Sequence, residues 1–268
     1  MSVSFALPGT PFGSIFSGAR LADAAALAAR CGDDVVRLRP AWPAVIAATR
    51  FARRARWRFG NRAATFECVE PRAKRWLSHR GAGDPVQVRF DLDNWSSAYA
   101  RADGKMREID VFAADGTAVA AVQLDDVEAS LDELIWLLVD DDQRRAAPVQ
   151  RRRSNVSRPF PQGALCNALV VAFEEALPLE VRLGNAGGAV CWSPSAPVVI
   201  ERDGCIELRS ALGSVTMCDR RGGIWAVNDG GIEARSGLDN ACWVRISLTG
   251  SSSHDLLVWR GICSQLAR

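Results

Sequence analysis

Residues able to hold a metal or attack a bond are sparse here: two His, one Tyr and eight Cys in 268 residues. The cysteines stand at 31, 68, 166, 191, 205, 218, 242 and 263, and no two make a Cys-x-x-Cys pair. A zinc site needs close ligand pairs, so this spacing argues against one. Most of these cysteines lie in apolar or alternating runs, such as Ala241-Cys242-Trp243-Val244. That setting predicts reduced, buried thiols. His79 sits in a loop between Trp76 and Gly81, with Arg75 and Arg80 nearby, and His254 opens a late apolar run. Each reads as a solvated histidine unless a ligand reaches it; for His79 the nearby cations disfavour the imidazolium form. Tyr99 is the only tyrosine, and in the interior its hydroxyl needs a hydrogen-bond partner. The many carboxylates form no specific pair. There is no Gly-x-Ser-x-Gly elbow, no P-loop and no Gly-x-Gly-x-x-Gly after a strand, so no enzyme class is marked by a motif.

Arginine carries the positive charge, because Lys74 and Lys105 are the only lysines. Arg50, Arg53, Arg54, Arg56, Arg58 and Arg62 interleave with Phe51, Trp57 and Phe59. Basic plus aromatic is the composition of a single-strand nucleic-acid groove. The local alternation instead puts Trp57 and Phe59 on one face and Arg56 and Arg58 on the other, as in a half-buried strand. The net charge of +2 is too small to imply a nucleic-acid partner. A second group, Arg144, Arg145 and Arg151 to Arg153, lies among prolines in 141–162. It could clamp anionic groups, bind an acidic surface or solvate a loop.

These side chains need a scaffold. Hydrophobic content of 48% and charged content of 24% describe a globular chain with a sizeable core. No run approaches the ~20 apolar residues that span a bilayer. The first charge is Arg20, so no basic leader region precedes an apolar one, and a cytoplasmic protein is expected. Helical spacing appears at 18–31, 40–50, 126–140 and 163–177. Period-two alternation predicts strands at 54–59, 63–69, 86–92, 107–113 and 117–124, with an Asp115-Gly116 turn before the last. From 179 to 261 almost everything reads as strand, including 223–228, 231–235, 242–248 and 254–260. The stretches 86–124 and 223–261 share pattern and spacing, which suggests an internal repeat. Helices followed by an antiparallel meander, twice over, imply an α+β fold with two stacked sheets.

Three separated stretches carry a resemblance. Residues 86–124 run strand, Trp95, Tyr99-Ala100-Arg101, then a hairpin. Upstream stands Asp34-Val35-Val36-Arg37-Leu38-Arg39-Pro40-Ala41-Trp42-Pro43, and downstream Leu183-Gly184-Asn185-Ala186-Gly187-Gly188. In that order they resemble the HemS/ChuX family of bacterial hemin-utilisation proteins. The resemblance implies two tandem repeats, 1–142 and 163–268, joined by an Arg/Pro-rich linker at 143–162. It implies heme as ligand, with trafficking of heme or assistance to its degradation for iron release, and a heme-degrading enzyme or reductase as partner; neither membrane nor nucleic acid is called for. Family members supply an axial His from the segment joining the repeats, and here 140–178 contains none. Trp225 and Val227 stand where the family carries His and Arg. The remaining heme-binding candidates are Tyr99, Arg101, His79 and Arg235, with the arginines placed for propionates. The alternative is the same scaffold turned to another ligand or to a protein.

Overall fold

The computed structural model describes residues 23–61, 63–70, 86–103, 106–127, 129–147, 158–161, 163–211, 213–218, 223–228, 230–236, 239–250 and 252–268. It begins with a short helix, α1 (Ala24–Ala28), whose N-cap Asp23 accepts from the Ala25 N–H at 2.8 Å. Strand β1 (Val35–Leu38) and helix α2 (Trp42–Ala48) follow, with Pro43 in the first turn of the helix, where its missing N–H costs nothing. A 3-10 turn (Thr49–Phe51) leads into β2 (Ala52–Gly60) and β3 (Ala64–Glu70). Next come β4 (Val86–Phe90), β5 (Trp95–Asp103), β6 (Met106–Ala113), β7 (Ala118–Val127) and helix α3 (Ala129–Leu137). Helix α4 (Ala164–Glu174) precedes β8 (Leu179–Asn185), β9 (Gly188–Trp192), β10 (Val198–Arg202), β11 (Cys205–Arg209) and β12 (Gly213–Met217). The chain closes with β13 (Ile224–Asn228), β14 (Gly231–Ser236), β15 (Asp239–Leu248) and helix α5 (Ser253–Leu266).

The fold is α+β, with antiparallel pairing throughout both sheets. Among the described residues one sheet has nine strands, β1-β5-β6-β7-β2-β3-β12-β11-β10, and the other six, β13-β14-β15-β8-β9-β4. The same path of connections recurs in each: β5-β6-β7-β2-β3 in the first, β13-β14-β15-β8-β9 in the second. The strand just before each meander crosses over. β4 pairs with β9 in the six-stranded sheet, and β12 pairs with β3 in the nine-stranded one. Rings from the two sheets meet, Phe66 on Trp192 at 5.7 Å and Trp57 on Phe90 at 5.4 Å. Trp95 then links Phe90, at 5.1 Å, to Trp42 of α2, at 5.8 Å. Each such pair adds about 0.5–1.5 kcal/mol beyond the area it buries. The two tryptophans of the family-like motifs therefore anchor α2 against β4 and β5.

Two short turns tie the sheets together. Phe59-Gly60-Asn61 ends β2 and Leu183-Gly184-Asn185 ends β8. Asn61 Nδ2 donates to the carbonyls of Gly184 (2.8 Å) and Trp243 (3.0 Å). Asn185 Nδ2 donates to those of Gly60 (2.8 Å) and Val119 (2.7 Å). The side-chain oxygens accept from their own turns, Asn61 from Ala63 and Ala64 and Asn185 from Gly187. Glycine is needed beside them: a Cβ on Gly184 would stand 2.5 Å from the Trp243 ring, and one on Gly187 would stand 2.1 Å from Val119.

Residues 254–260 form part of α5, not the expected strand. His254-Asp255-Leu256-Leu257-Val258-Trp259 reads as a strand in a short window. The buried residues are Trp259, Ile262, Cys263 and Leu266, which is 3, 4, 7 helical spacing. Ser252 caps this helix, accepting from the Asp255 N–H at 3.0 Å, and Ser-x-x-Asp before an apolar run was the available signal. Ser252→Ala should cost about 1 kcal/mol in urea unfolding, with no change in slope. The cysteines also need a correction. Cys205 and Cys218 form a disulfide, with Cα atoms 4.3 Å apart. In the β11–β12 register Ile206 faces Met217, so these two cysteines face each other one position outward. Cys31, Cys68, Cys166, Cys191 and Cys263 are free thiols.

Candidate functional site

Strand alternation decides where the candidate residues point. On β5, β6 and β7 the even register of β5 and the odd one of β6 fill the core with Ala98, Ala100, Ile109 and Val111. The opposite face carries Ser97, Tyr99 and Arg101 from β5, Glu108 and Asp110 from β6, and Gln123 from β7. Cross-strand pairing sets Arg101 beside Glu108 beside Gln123, and Tyr99 beside Asp110 beside Ala121. Arg58 of β2 reaches the same place over Ala121.

This face is a charge network. Arg101 Nη2 lies 2.7 Å from Glu108 Oε2 and 3.7 Å from Asp110 Oδ2. Arg58 lies 3.2 Å from Glu108 Oε1 and 3.7 Å from Glu67 Oε1. Glu108, Asp110, Gln123 and Arg58 are all buried. Burial, reinforced by Glu108 and opposed by Arg101 and Arg58, pushes the Asp110 carboxyl up to about 7. Burial likewise raises the Glu67 carboxyl, with Arg58 and Arg56 opposing it. Among the described residues, buried side-chain atoms without a hydrogen-bond partner include Ser97 Oγ, Tyr99 Oη, Arg101 Nε, Asp110 Oδ2 and Gln123 Oε1, all on this one face.

Tyr99 itself is 1% exposed. It packs in a small apolar cluster with Ala24 and Leu27 of α1, Val35 of β1 and Phe112 of β6. The Arg37 guanidinium stands over its ring at 5.7 Å, and burial, with that charge opposing, raises the phenol. Arg37 is held in turn by Asp140 (3.6 Å), the Arg145 carbonyl (3.0 Å) and Gln143, which accepts from the Arg37 backbone N–H at 2.8 Å. The near end of the Arg/Pro-rich segment is thus fixed to β1. At its far end the Trp225 N–H donates to the Arg158 carbonyl at 3.0 Å and the Arg158 N–H donates to the Gly223 carbonyl at 3.2 Å. Residues 148–157 lie outside the described residues.

Arg235 lies elsewhere, on the outer face of the six-stranded sheet. It pairs with Glu233 at 3.1 Å, and Arg245 holds the other Glu233 oxygen at 3.2 Å. The structure thus brings Tyr99 and Arg101 together and leaves Arg235 apart; His79 lies outside the described residues. Trp225 is buried, its ring 6.3 Å from Phe160 and its Nε1 without a partner. His254 stands exposed in the first turn of α5. Trp57 and Phe59 are buried and Arg58 is ion-paired, so β2 offers no ring for stacking bases.

Sequence reasoning missed Glu108, Asp110 and Gln123, although Arg107-Glu108-Ile109-Asp110 alternates with both carboxylates on the Tyr99–Arg101 face. It also missed that Gly60-Asn61 matches Gly184-Asn185.

Heme would need an apolar slot. The cavity bounded by Val45, Ile46, Thr49, Trp57, Trp95 and Ile109 has about 10 Å³, room for a single water-sized body. The larger apolar surface is open: Trp136 and Leu137 of α3 are each 71% exposed and Phe51 is 45% exposed. Among the described residues, Tyr99 and Arg101 share one face and Arg235 stands on the other sheet, so these three do not line one heme-sized slot.

No family model matches the chain. No curated protein matches it either. Solved structures do. The chain shares its fold with PhuS and ChuS. The chain is similar to apo-PhuS, a heme-binding protein from Pseudomonas aeruginosa, with 17% identity, 91% of this chain and 90% of that one covered, and a TM-score of 0.67. Holo-PhuS matches at 16% identity, the same coverage and a TM-score of 0.65. ChuS, an E. coli heme oxygenase, matches at 14% identity over 90% of this chain and 91% of that one, with a TM-score of 0.63.

Proposed function

We propose that this chain is a cytoplasmic heme-handling protein of bacterial hemin utilisation, carrying heme or assisting its degradation for iron release. One observation carries the reading: its fold follows a heme-binding protein, in apo and holo forms, over nine-tenths of both chains. In this reading two tandem repeats, 1–142 and 163–268, flank the linker 143–162 and stack their sheets. The recurrent strand order and the paired Gly-Asn turns support it. No described helix is long and apolar enough to cross a membrane. Its partner would be a heme-degrading enzyme that receives the heme, or a reductase that supplies electrons for the degradation.

Binding is expected to be weaker than in relatives with an axial histidine, because apolar contact and propionate pairing must do the work. Titrating hemin and following the Soret band tests this. A band that does not move at stoichiometric hemin sinks the proposal. Arg101→Ala or Arg235→Ala, according to which of the two faces meets the propionates, should weaken binding several-fold through lost propionate pairing. Tyr99→Phe should change the spectrum more than His79→Ala; unchanged spectra for both, with tight binding, would place the pocket elsewhere.

A second reading is favoured by one specific observation. Arg101 and Arg235 are held by carboxylates of the chain itself, and the Tyr99 phenol is closed off behind α1. A scaffold that has given up heme for another ligand or a protein would look like this. Failure to bind hemin, together with a protein partner that co-purifies, selects it.

A further inference from the structure

Five buried polar atoms without partners on one sheet face need an explanation, because each leaves a hydrogen bond unmade. Asp110 is the centre of the group. It is 2% exposed, it faces Tyr99 across the strand pair, and it shares its face with Glu108 two residues earlier. Arg101 is closer to Glu108 than to Asp110, and Arg58 serves Glu108 and Glu67. Among the described residues, Arg37 from β1, Arg56 from β2 and Asp125 from β7 also stand around the group, the last two paired with each other at 3.6 Å, and Glu207 from β11 acts on Glu67. Cys31, beyond α1, lies near the Tyr99 phenol. Three carboxylates, Glu67, Glu108 and Asp110, thus compete for Arg58 and Arg101, and Asp110 is served last.

We propose that Asp110, crowded beside Glu108 on the outer face of β5, β6 and β7 and second in line for Arg101, is a proton-operated latch. With the proton on, Asp110 is uncharged and tolerates its place against Tyr99. When the proton leaves to solvent, the new carboxylate draws Arg101, whose Nη2 already stands 3.7 Å away, off Glu108, and the strand pair shifts beneath Tyr99, which faces Asp110 across it. Tyr99 also anchors α1 through Ala24 and Leu27, so its movement loosens that helix. The buried-carboxylate shift already described has the same sign. This inference does not rest on heme binding.

The chain supplies its own probe, since Tyr99 is the only tyrosine. Labelling tyrosine with ¹³C gives a single ring signal to follow from pH 5 to pH 9 in the full chain. The expected result is one inflection near neutrality, absent in Asp110→Asn and moved to lower pH in Glu108→Gln. His79→Gln and His254→Gln must leave it in place. A flat wild-type profile overturns the latch, as does an inflection that survives in Asp110→Asn or vanishes with either histidine. Should Asp110→Asn not fold, the Glu108→Gln midpoint decides alone: no downward move overturns it.

Discussion

Replacing Asn185 by Ala is expected to destabilise the protein by about 3–5 kcal/mol, the cost of stranding several buried polar groups at once. Its side chain is buried and makes three bonds: two to carbonyls of β2 and β7, one from its own turn. Alanine leaves the Gly60 and Val119 carbonyls and the Gly187 N–H without those partners, and no described group stands ready to replace them. Asn61→Ala, whose side chain is less buried, should show a smaller loss of the same kind. Urea unfolding followed by tryptophan fluorescence measures both. A loss below about 1 kcal/mol for Asn185→Ala would mean that water reaches the turn and that the brace is not structural.

The second large effect is pH-dependent. Asp110 has a folded value near 7 against an ordinary 3.8, so the folded state holds its proton more tightly. The sign follows from linkage: where the folded state binds more protons, stability falls as pH rises. The Asp110 contribution is therefore most favourable below about pH 4 and is lost progressively up to about pH 7, by about 4 kcal/mol in all. Asparagine mimics the protonated form. The stability of Asp110→Asn relative to wild type should climb by that amount between pH 4 and pH 8. The raised Glu67 acts in the same direction in both proteins and cancels in the comparison. Equal pH profiles for the two proteins would show that Asp110 is ionised, and paired, throughout.

Most of the sheet framework was legible because strand alternation is local. The strands expected at 54–59, 107–113 and 223–228 fall inside or beside β2, β6 and β13, and Asp115-Gly116 makes the turn it should, with Gly116 at φ 77°. The final helix was not legible as such, because a run of Leu256, Leu257, Val258 and Trp259 satisfies both periods over one turn and is separated only by residues further on. The disulfide was legible in principle. Two strands of known ends joined by a short turn place Cys205 opposite Cys218. The charge network was not, because its members come from β2, β3, β5 and β6, and only the strand order brings them together. Nothing local to Asp110 says that it will be buried beside Glu108. Of the candidate ligands, Tyr99 and Arg101 fell on one face by simple alternation, while Arg235 needed the second sheet to be known.

The crossing of β4 and β12 also bears on how the chain is made. During synthesis β3 emerges with one edge bare, and its partner β12 follows about 140 residues later. At ribosomal speeds of about 5–20 residues per second, that edge waits on the order of ten seconds. An unpaired strand is a template for another chain's edge. The early half of this protein is therefore sticky for as long as the late half is missing, and β4 waits in the same way for β9. A nascent chain stalled between α3 and α4 exposes both edges, which makes truncated products candidates for chaperone capture rather than for independent folding.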